Sequence, residues 1–338
     1  MSWLRRKLRF HTSLQLMFAL ESAEEALVGG QAVLEGVMMR SPHAWGIAVR
    51  KPSGELVTHS EPMERPSEKS PWKGWPLIRG VMTLTQAMML GFKALRYSAN
   101  VALEEVQAGE RKDGEDAPKA KEKKLEISGW VAALNIALSL GFFIFMYKFL
   151  PYLAAKQLRL IDPQLGNRVF FAVVEGVIRL ALFLGFIYLT SLWSEIRRVY
   201  QYHGAEHKTV FAFEAGDPLE ASAVQRWSTF HPRCGTSFLM TVMLIAIVMY
   251  ALVPVRGFWA GFGIRLLLLP LIAGVSYEII RYAAKRRSSL FGVITRPGLW
   301  LQRITTRQPD DSQVECAIVA LNEAMALEKQ RGGELVIA

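Results

Sequence analysis

The chain has 338 residues, of which 51% are hydrophobic, and its formal charge is +10. The apolar residues fall into four blocks, each close to the roughly 20 residues that cross a bilayer, which argues against purely soluble domains. The two cysteines, Cys234 and Cys316, suggest no framework of disulfides. Basic residues cluster beside the apolar blocks, without a known nucleic-acid module, so we expect a lipid bilayer as partner and no nucleic acid.

The segments before the first apolar block predict surface and interfacial structure. Residues 1–28 are basic and then briefly apolar, which indicates an amphipathic segment on a membrane. Residues 29–75 contain AWGIAVR, the turn KPSGE and LVTHS, which predict a β-hairpin in a small cytoplasmic β-rich region. Residues 76–103 are apolar but interrupted by charges and predict an interfacial or re-entrant helix. Residues 104–126, almost all charged or small, predict a flexible linker.

The next part of the chain predicts a membrane domain of four transmembrane helices over 127–280. The expected spans are 127–150, 169–193, 237–256 and 258–280. Glu175 and Arg179 in the second span are four residues apart and can pair on one helix face. Arg265 in the fourth span is costly unless it is paired or near an end. We interpret Glu175 and Arg179 as a mutually neutralising pair rather than a transport pathway.

The distribution of charge predicts which ends lie in the cytoplasm. Lys and Arg are dense before the first span, in the loop 194–236 and after the fourth span. The positive-inside rule therefore predicts that both termini and this loop are cytoplasmic. Residues 281–338 form a cytoplasmic helical segment in this scheme, with a helix start at Asp310 and Gln313. The fold class expected is thus a mainly α polytopic membrane protein.

The loop 194–236 carries the residues that can do chemistry. The string HGAEH puts His203 and His207 on one helix face if the second span continues past the membrane. Two imidazoles at this spacing can bind one metal ion, and Glu206 borders the same face as a possible general base. The string also fits H-x-x-E-H, the inverted form of a zinc-protease motif.

A second motif, HPRC, follows shortly and supplies His231 and Cys234 at a ligand spacing. We predict bound zinc or another divalent transition metal; the alternative is histidines at the head-group level and a small buried cysteine. A closed, structural site results if all four side chains bind: His203, His207, His231 and Cys234. If only three bind, a position stays open for water, with Glu206 as its base.

Five motifs occur in order between Gly29 and Leu321: GGQAVLEGVMMRSP, PLIRGVM, YHGAEHKTVFAFE, HPRCGTSF and PGLWLQRITTRQPDDSQVECAIVAL. Together they resemble the YqhQ-like family of bacterial polytopic membrane proteins, which carries a domain of unknown function. The resemblance implies a bacterial inner-membrane protein, predicted to be a metal-dependent enzyme, with the metal on HGAEH and HPRC. It supplies no reaction. Cys316 departs from the expected VEVAI and is interpreted as an apolar replacement in a helix core.

Three functional hypotheses follow. The leading one is a zinc-dependent enzyme, with a hydrolase of unknown substrate favoured, acting at the cytoplasmic membrane surface. In it His203, His207 and His231 hold the metal, and Glu206 activates the metal-bound water. The first alternative is a scaffold or assembly factor whose structural zinc pins the helix end to the HPRC turn. The second is a transporter that uses the intramembrane charges.

Overall fold

A computed structural model describes most of the chain, in six stretches: residues 28–64, 70–112, 129–231, 234–253, 257–285 and 291–330. The predicted amphipathic segment before residue 28 lies outside these stretches. So do residues 113–126 of the predicted linker and residues 254–256 at the end of the third predicted span.

The β-rich region is a four-stranded antiparallel sheet in the order β1-β2-β3-β4. Its strands are β1 Gly29–Val33, β2 Gly36–Arg40, β3 Ala44–Arg50 and β4 Leu56–Pro62. β3 and β4 are the predicted hairpin. Almost every residue of β2 and β3 is buried, on both faces of the sheet. The sheet is therefore covered on two sides.

The described residues after the sheet form eleven α-helices, which confirms the mainly helical architecture. They are α1 Ile78–Lys112, α2 Gly129–Ile144, α3 Leu150–Leu158, α4 Arg168–Thr190, α5 Ser194–Ala215, α6 Ala221–Val224, α7 Gly235–Leu252, α8 Phe258–Leu267, α9 Leu269–Lys285, α10 Phe291–Thr305 and α11 Asp311–Gln330. A π-helical turn, Phe145–Phe149, joins α2 to α3.

Helices cover both faces of the sheet. Residues of α5 and α11 share one apolar core with β2 and β3. Leu90, Ala94 and Val101 of α1 share a second core with the opposite face. A Cβ on Gly46 would lie 2.8 Å from the Ala320 carbonyl oxygen, so a glycine in β3 lets α11 lie directly on the strand. α5 therefore packs on one face of the four-stranded sheet, which we call the sheet platform.

Three helical stretches among the described residues are long and apolar enough to cross a membrane: Ala137–Leu158, Arg168–Thr190 and Gly235–Leu252. The first runs from α2 through the π-helical turn into α3. α8 and α9 meet at a bend of 43° and give a fourth stretch if they cross as one unit. In length and composition these stretches agree with the four predicted spans.

The prediction for HGAEH assumes that the second span continues as one helix through this motif. The structure corrects this, because the span and the HGAEH helix are separate helices. α4 ends at Thr190, and Trp193 is extended, with φ −77° and ψ 138°, before α5 begins at Ser194. The Thr190 hydroxyl donates to the Phe186 and Ile187 carbonyls, and the Ser191 hydroxyl donates to the Tyr188 carbonyl. These local bonds satisfy the helix end and compete with its continuation. The two histidines still share a face because α5 is itself regular.

α1 is longer than the predicted interfacial helix, because it extends to Lys112 and so into the expected flexible linker. The added residues, EEVQAGERK, are mostly good helix formers, and propensity favours their continuation of the helix.

The C-terminal segment also differs in part, since Leu301 of α10 packs against Phe183 of α4 and Met240 of α7. α11 begins as predicted: Asp310 accepts from the Gln313 amide at 2.9 Å, in a capping box.

Candidate metal centre

The glycine of HGAEH allows the chain after α10 to cross α5 closely. The Arg307 amide donates to the Tyr200 carbonyl at 2.9 Å. A Cβ on Gly204 would lie 2.0 Å from the Arg307 carbonyl oxygen, far closer than any stable contact. Only glycine therefore fits this position while α5 touches the segment after α10.

Both histidines of the motif are oriented by backbone carbonyls. His203 Nδ1 lies 2.8 Å from the Thr305 carbonyl oxygen at the end of α10. His207 Nδ1 lies 2.5 Å from the Thr229 carbonyl oxygen, in the loop before HPRC. Because a carbonyl only accepts, each Nδ1 donates its hydrogen, and Nε2 is the nitrogen of each ring that can bind a metal. Metal-binding histidines are commonly oriented in this way.

Cys234 brings its sulfur to the two Nε2 atoms. Its Sγ lies 3.3 Å from His203 Nε2, and the ligand atoms of His203, His207 and Cys234 all lie within 4.8 Å of one another. Cys234 is the N-cap of α7, where its Sγ accepts from the Thr236 amide at 3.4 Å.

The chemistry of this group fits a bound cation. Within the described part of the chain, His207 Nε2 is buried and has no hydrogen-bond partner. A buried nitrogen without a partner costs free energy, unless something absent from the polypeptide occupies its lone pair. The donor set of two imidazoles and one thiol suits zinc and related transition metals.

Glu206 lies beside this group, as the sequence predicted. Its Oε2 is 3.5 Å from His207 Nε2 and 4.0 Å from His203 Nε2, and its side chain is 8% exposed. β1 covers it, since a Cβ on Gly30 would lie 2.6 Å from the Glu206 Cγ. The N-terminal sheet thus closes one wall of the centre through its GGQAV motif.

His231, the fourth predicted ligand, lies next to the three-residue group but not in it. Its ring is 5.6 Å from that of His207, and its Nε2 is 3.8 Å from Glu214 Oε2. Gln302 of α10 fixes the His231 backbone: its Oε1 accepts from the His231 amide and its Nε2 donates to the carbonyl, both at 2.8 Å. Gln302, fully buried, has no sequence pattern that would have identified it.

Lys208 fixes the loop that carries the Thr229 carbonyl. Its Nζ donates to the carbonyls of Gln225 at 2.7 Å and of Trp227 at 2.6 Å. Burial lowers the pKa of Lys208 below its ordinary value. Lys208 therefore helps to position the Thr229 carbonyl, which is the hydrogen-bond partner of His207.

Comparisons with known proteins show the family. Residues 75–327 match the model of a family described as protein of unknown function, DUF1385. The chain belongs to this family. It is also 33% identical, over 308 residues, to the uncharacterized protein YqhQ of Bacillus subtilis (strain 168), a match that covers 89% of this chain and 92% of the relative. No solved structure matches the chain significantly. The YqhQ-like resemblance is thus confirmed.

A second polar group lies among the candidate spans. The predicted pair of Glu175 and Arg179 is present, and Arg265 of α8 joins it. Arg265 Nη2 donates to Glu175 Oε2 at 2.6 Å. Arg265 Nε also donates to the Glu175 carboxylate, at 3.0 and 3.1 Å. Two further bonds reach carbonyls: Arg179 Nε donates to Tyr147 and Arg265 Nη1 to Gly261, both at 2.9 Å. We call these three side chains the charge cluster.

Proposed function

We propose that this protein is a metal-dependent hydrolase of the bacterial cytoplasmic membrane, with zinc as its ion. One observation carries the proposal. Two imidazoles, each oriented through Nδ1 by a carbonyl, direct Nε2 atoms toward the Cys234 sulfur, and a buried carboxylate lies beside them. The buried His207 Nε2 has no hydrogen-bond partner among the described residues, and a bound cation would occupy its lone pair.

The proposed ligands are His203, His207 and Cys234, whereas His231 faces Glu214. Three protein ligands leave a position open, which is typical of catalytic rather than structural zinc. When bound, zinc lowers the pKa of water and polarises a carbonyl or phosphoryl group.

Glu206 has the position that a general base requires. Its carboxylate is within 4.0 Å of both Nε2 atoms and is screened from solvent by β1. In the proposed reaction Glu206 accepts a proton from the attacking water, whose oxygen forms a bond to the substrate centre. The bond to the leaving group then breaks, and the proton on Glu206 passes to that group.

The order of the candidate spans and the charges beside them support a cytoplasmic location for the centre. α4 ends and α7 begins on the same side, since the loop between them joins the two ends of adjacent spans. Arg197 and Arg198 follow α4 directly, and further basic residues follow α9. The positive-inside rule supports a cytoplasmic centre and cytoplasmic termini.

The first experiment measures metal per chain in the detergent-purified protein by elemental analysis. We expect about one equivalent in the wild type and in Glu206→Gln, and a loss of most metal in His207→Ala. His59→Ala is the matched control, because His59 lies on β4 beside Glu61 and outside the centre. Wild-type protein without metal after zinc supplementation would contradict the proposal.

The second experiment tests for an open position. In protein loaded with Co²⁺, acetohydroxamate should shift the visible absorption of the wild type and of Glu206→Gln, because the ligand atoms of the chain are unchanged. Lipid and peptide extracts should then lose a component on incubation with wild type but not with Glu206→Gln. Equal conversion by both proteins would remove Glu206 from the chemistry.

A structural metal is the second candidate, and one observation favours it. The centre joins three elements, because His203 lies on α5, Cys234 starts α7 and Thr305 ends α10. A metal here would fix the sheet platform to the spans. In that case acetohydroxamate would leave the Co²⁺ spectrum unchanged, while chelation would still destabilise the fold.

A further inference from the structure

Among the described residues, the centre is most exposed at His203 and Cys234. The His207 side chain is 2% exposed and Glu206 8% exposed, whereas His203 is 16% exposed and Cys234 is half-buried. β1 covers Glu206 at Gly30, and the loop at Thr229 covers His207. A substrate can therefore approach past His203 and Cys234 and not through the sheet.

That open side continues onto a candidate span. Cys234 directly precedes α7, Gly235 is exposed, and Leu239 is 44% exposed one turn further along the helix. Gly235 and Leu239 are four residues apart, so they share one face of α7 and lie about 6 Å apart along its axis. At that level α7 packs against α4 and α10, as Met240 contacts Phe183 and Leu301. The opening thus adjoins the surface that lipid would cover.

Exposed aromatic residues lie near the ends of the candidate spans and on α10. Trp193 follows the end of α4 and is 64% exposed, and Phe230, next to His231, is 42% exposed. Trp300 is 50% exposed on α10, two residues after Gly298, which touches Ser237 of α7. Aromatic side chains of this kind are enriched where a membrane protein meets the head groups.

From these observations we infer that the substrate is an amphiphile drawn from the bilayer. Its hydrolysed bond lies at the depth of the head groups, and its apolar chain lies along α7 past Leu239. The inference rests on the proposed function, because it names the substrate class of the same site. It explains why a hydrolytic centre is placed one residue from a span instead of within the sheet platform.

The test uses Co²⁺-loaded protein in lipid nanodiscs and hydroxamates of increasing chain length. Each added methylene should raise the affinity, referred to the aqueous concentration, about threefold to fourfold if the chain remains in an apolar environment. Hexanohydroxamate has four more methylenes than acetohydroxamate and should therefore bind roughly 100-fold more tightly. Leu239→Gln should reduce this gain and leave acetohydroxamate affinity unchanged. Leu138→Gln, at an exposed position of another candidate span, is the matched control.

The outcomes separate the two claims. If the protein holds no metal, or metal but no acetohydroxamate, the proposed function fails. If acetohydroxamate binds with no dependence on chain length, the hydrolase stands and the bilayer substrate is wrong.

Cysteine labelling gives an independent measurement. Cys316 is fully buried and Cys234 is the other cysteine of the chain. In metal-free protein a bilayer-soluble maleimide should label Cys234 faster than a water-soluble one of matched intrinsic reactivity. Faster labelling by the water-soluble reagent would contradict access from the lipid.

Discussion

Two buried polar groups lie toward opposite ends of α7. The charge cluster is near its C-terminal end, where Tyr250 stacks with the guanidinium groups of Arg179 and Arg265. The candidate metal centre is at its N-terminal end, at Cys234. Sixteen residues of helix separate Tyr250 from Cys234, which is about 24 Å. Both groups place polar atoms against apolar helices, but they satisfy those atoms differently.

The charge cluster is completed by the polypeptide itself. Glu175 accepts from both arginines, and described carbonyls take further guanidinium hydrogens. In the candidate metal centre, by contrast, the buried His207 Nε2 has no hydrogen-bond partner among the described residues. The charge cluster is thus satisfied by protein groups, whereas the candidate metal centre has one buried nitrogen available for the proposed cation.

We expect the largest effect when the carboxylate of the charge cluster is removed. Glu175→Ala leaves two buried guanidinium groups without their carboxylate and should lower the free energy of unfolding by about 3–5 kcal/mol. Thermal unfolding in detergent, followed by circular dichroism, measures this loss. Glu195→Ala, at an exposed position of α5, is the control and should change stability little. Near-wild-type stability of Glu175→Ala would show that the arginines have other partners in the membrane.

The second largest effect is the loss of stability when metal is removed from the candidate metal centre. Removal of metal by a chelator should lower the free energy of unfolding by about 2.7 kcal/mol, relative to metal held at 100 times its dissociation constant. His207→Ala should abolish this difference, whereas His59→Ala should preserve it. Equal melting temperatures with zinc and with chelator in the wild type would mean that His207 Nε2 is satisfied without a cation.

A third prediction tests the geometry that places the histidines. Gly204→Ala puts a methyl group 2.0 Å from a carbonyl oxygen and should cost about 1–3 kcal/mol, with weaker metal binding, since α5 and Arg307 must separate. Gly185→Ala in α4 is the matched control, because nothing lies within 4 Å of a Cβ there. It should be neutral or stabilise the helix by up to about 1 kcal/mol. Similar behaviour of the two variants would contradict the close approach.

The sequence predicted what depends on local spacing. The i, i+4 relation of His203 and His207, the hairpin and the apolar spans all follow from patterns within about 25 residues. It did not predict the partners that complete each group. Arg265 meets Glu175 across 90 residues, and Thr305 meets His203 across 102. Such contacts depend on how helices pack, and a backbone carbonyl such as that of Thr305 carries no residue-specific signal.

The end of the second span shows the same limit at short range. Thr190 and Ser191 are tolerated within helices, so their composition alone did not indicate the break before Trp193. His231, which its spacing from Cys234 predicts as a ligand, lies next to the three ligand atoms that the structure brings together and not among them. Its position is instead set by Gln302, which holds its backbone from α10.

The smallest expected effect concerns Glu328, a buried carboxylate outside the spans whose described hydrogen-bond partners are all protein groups. The Glu328 carboxylate on α11 is buried and accepts from the Ser41 hydroxyl and the His43 amide, both at 2.7 Å. Burial raises the pKa of Glu328, but the hydrogen bonds from Ser41 and His43 outweigh this and lower it below the ordinary value. Glu328→Gln should cost about 1 kcal/mol near neutral pH.

The pH dependence of this last effect has a definite sign. Because the pKa of Glu328 is lower in the folded protein, its stabilisation is present above the ordinary carboxyl pKa and is lost as the pH falls through the folded value. The difference between wild type and Glu328→Gln, measured by thermal unfolding, should therefore shrink below about pH 4.5. Glu323→Gln on the same helix, where Ser60 donates one bond, is the control. A difference that stays constant to pH 3 would mean that Glu328 acts through packing rather than through its charge.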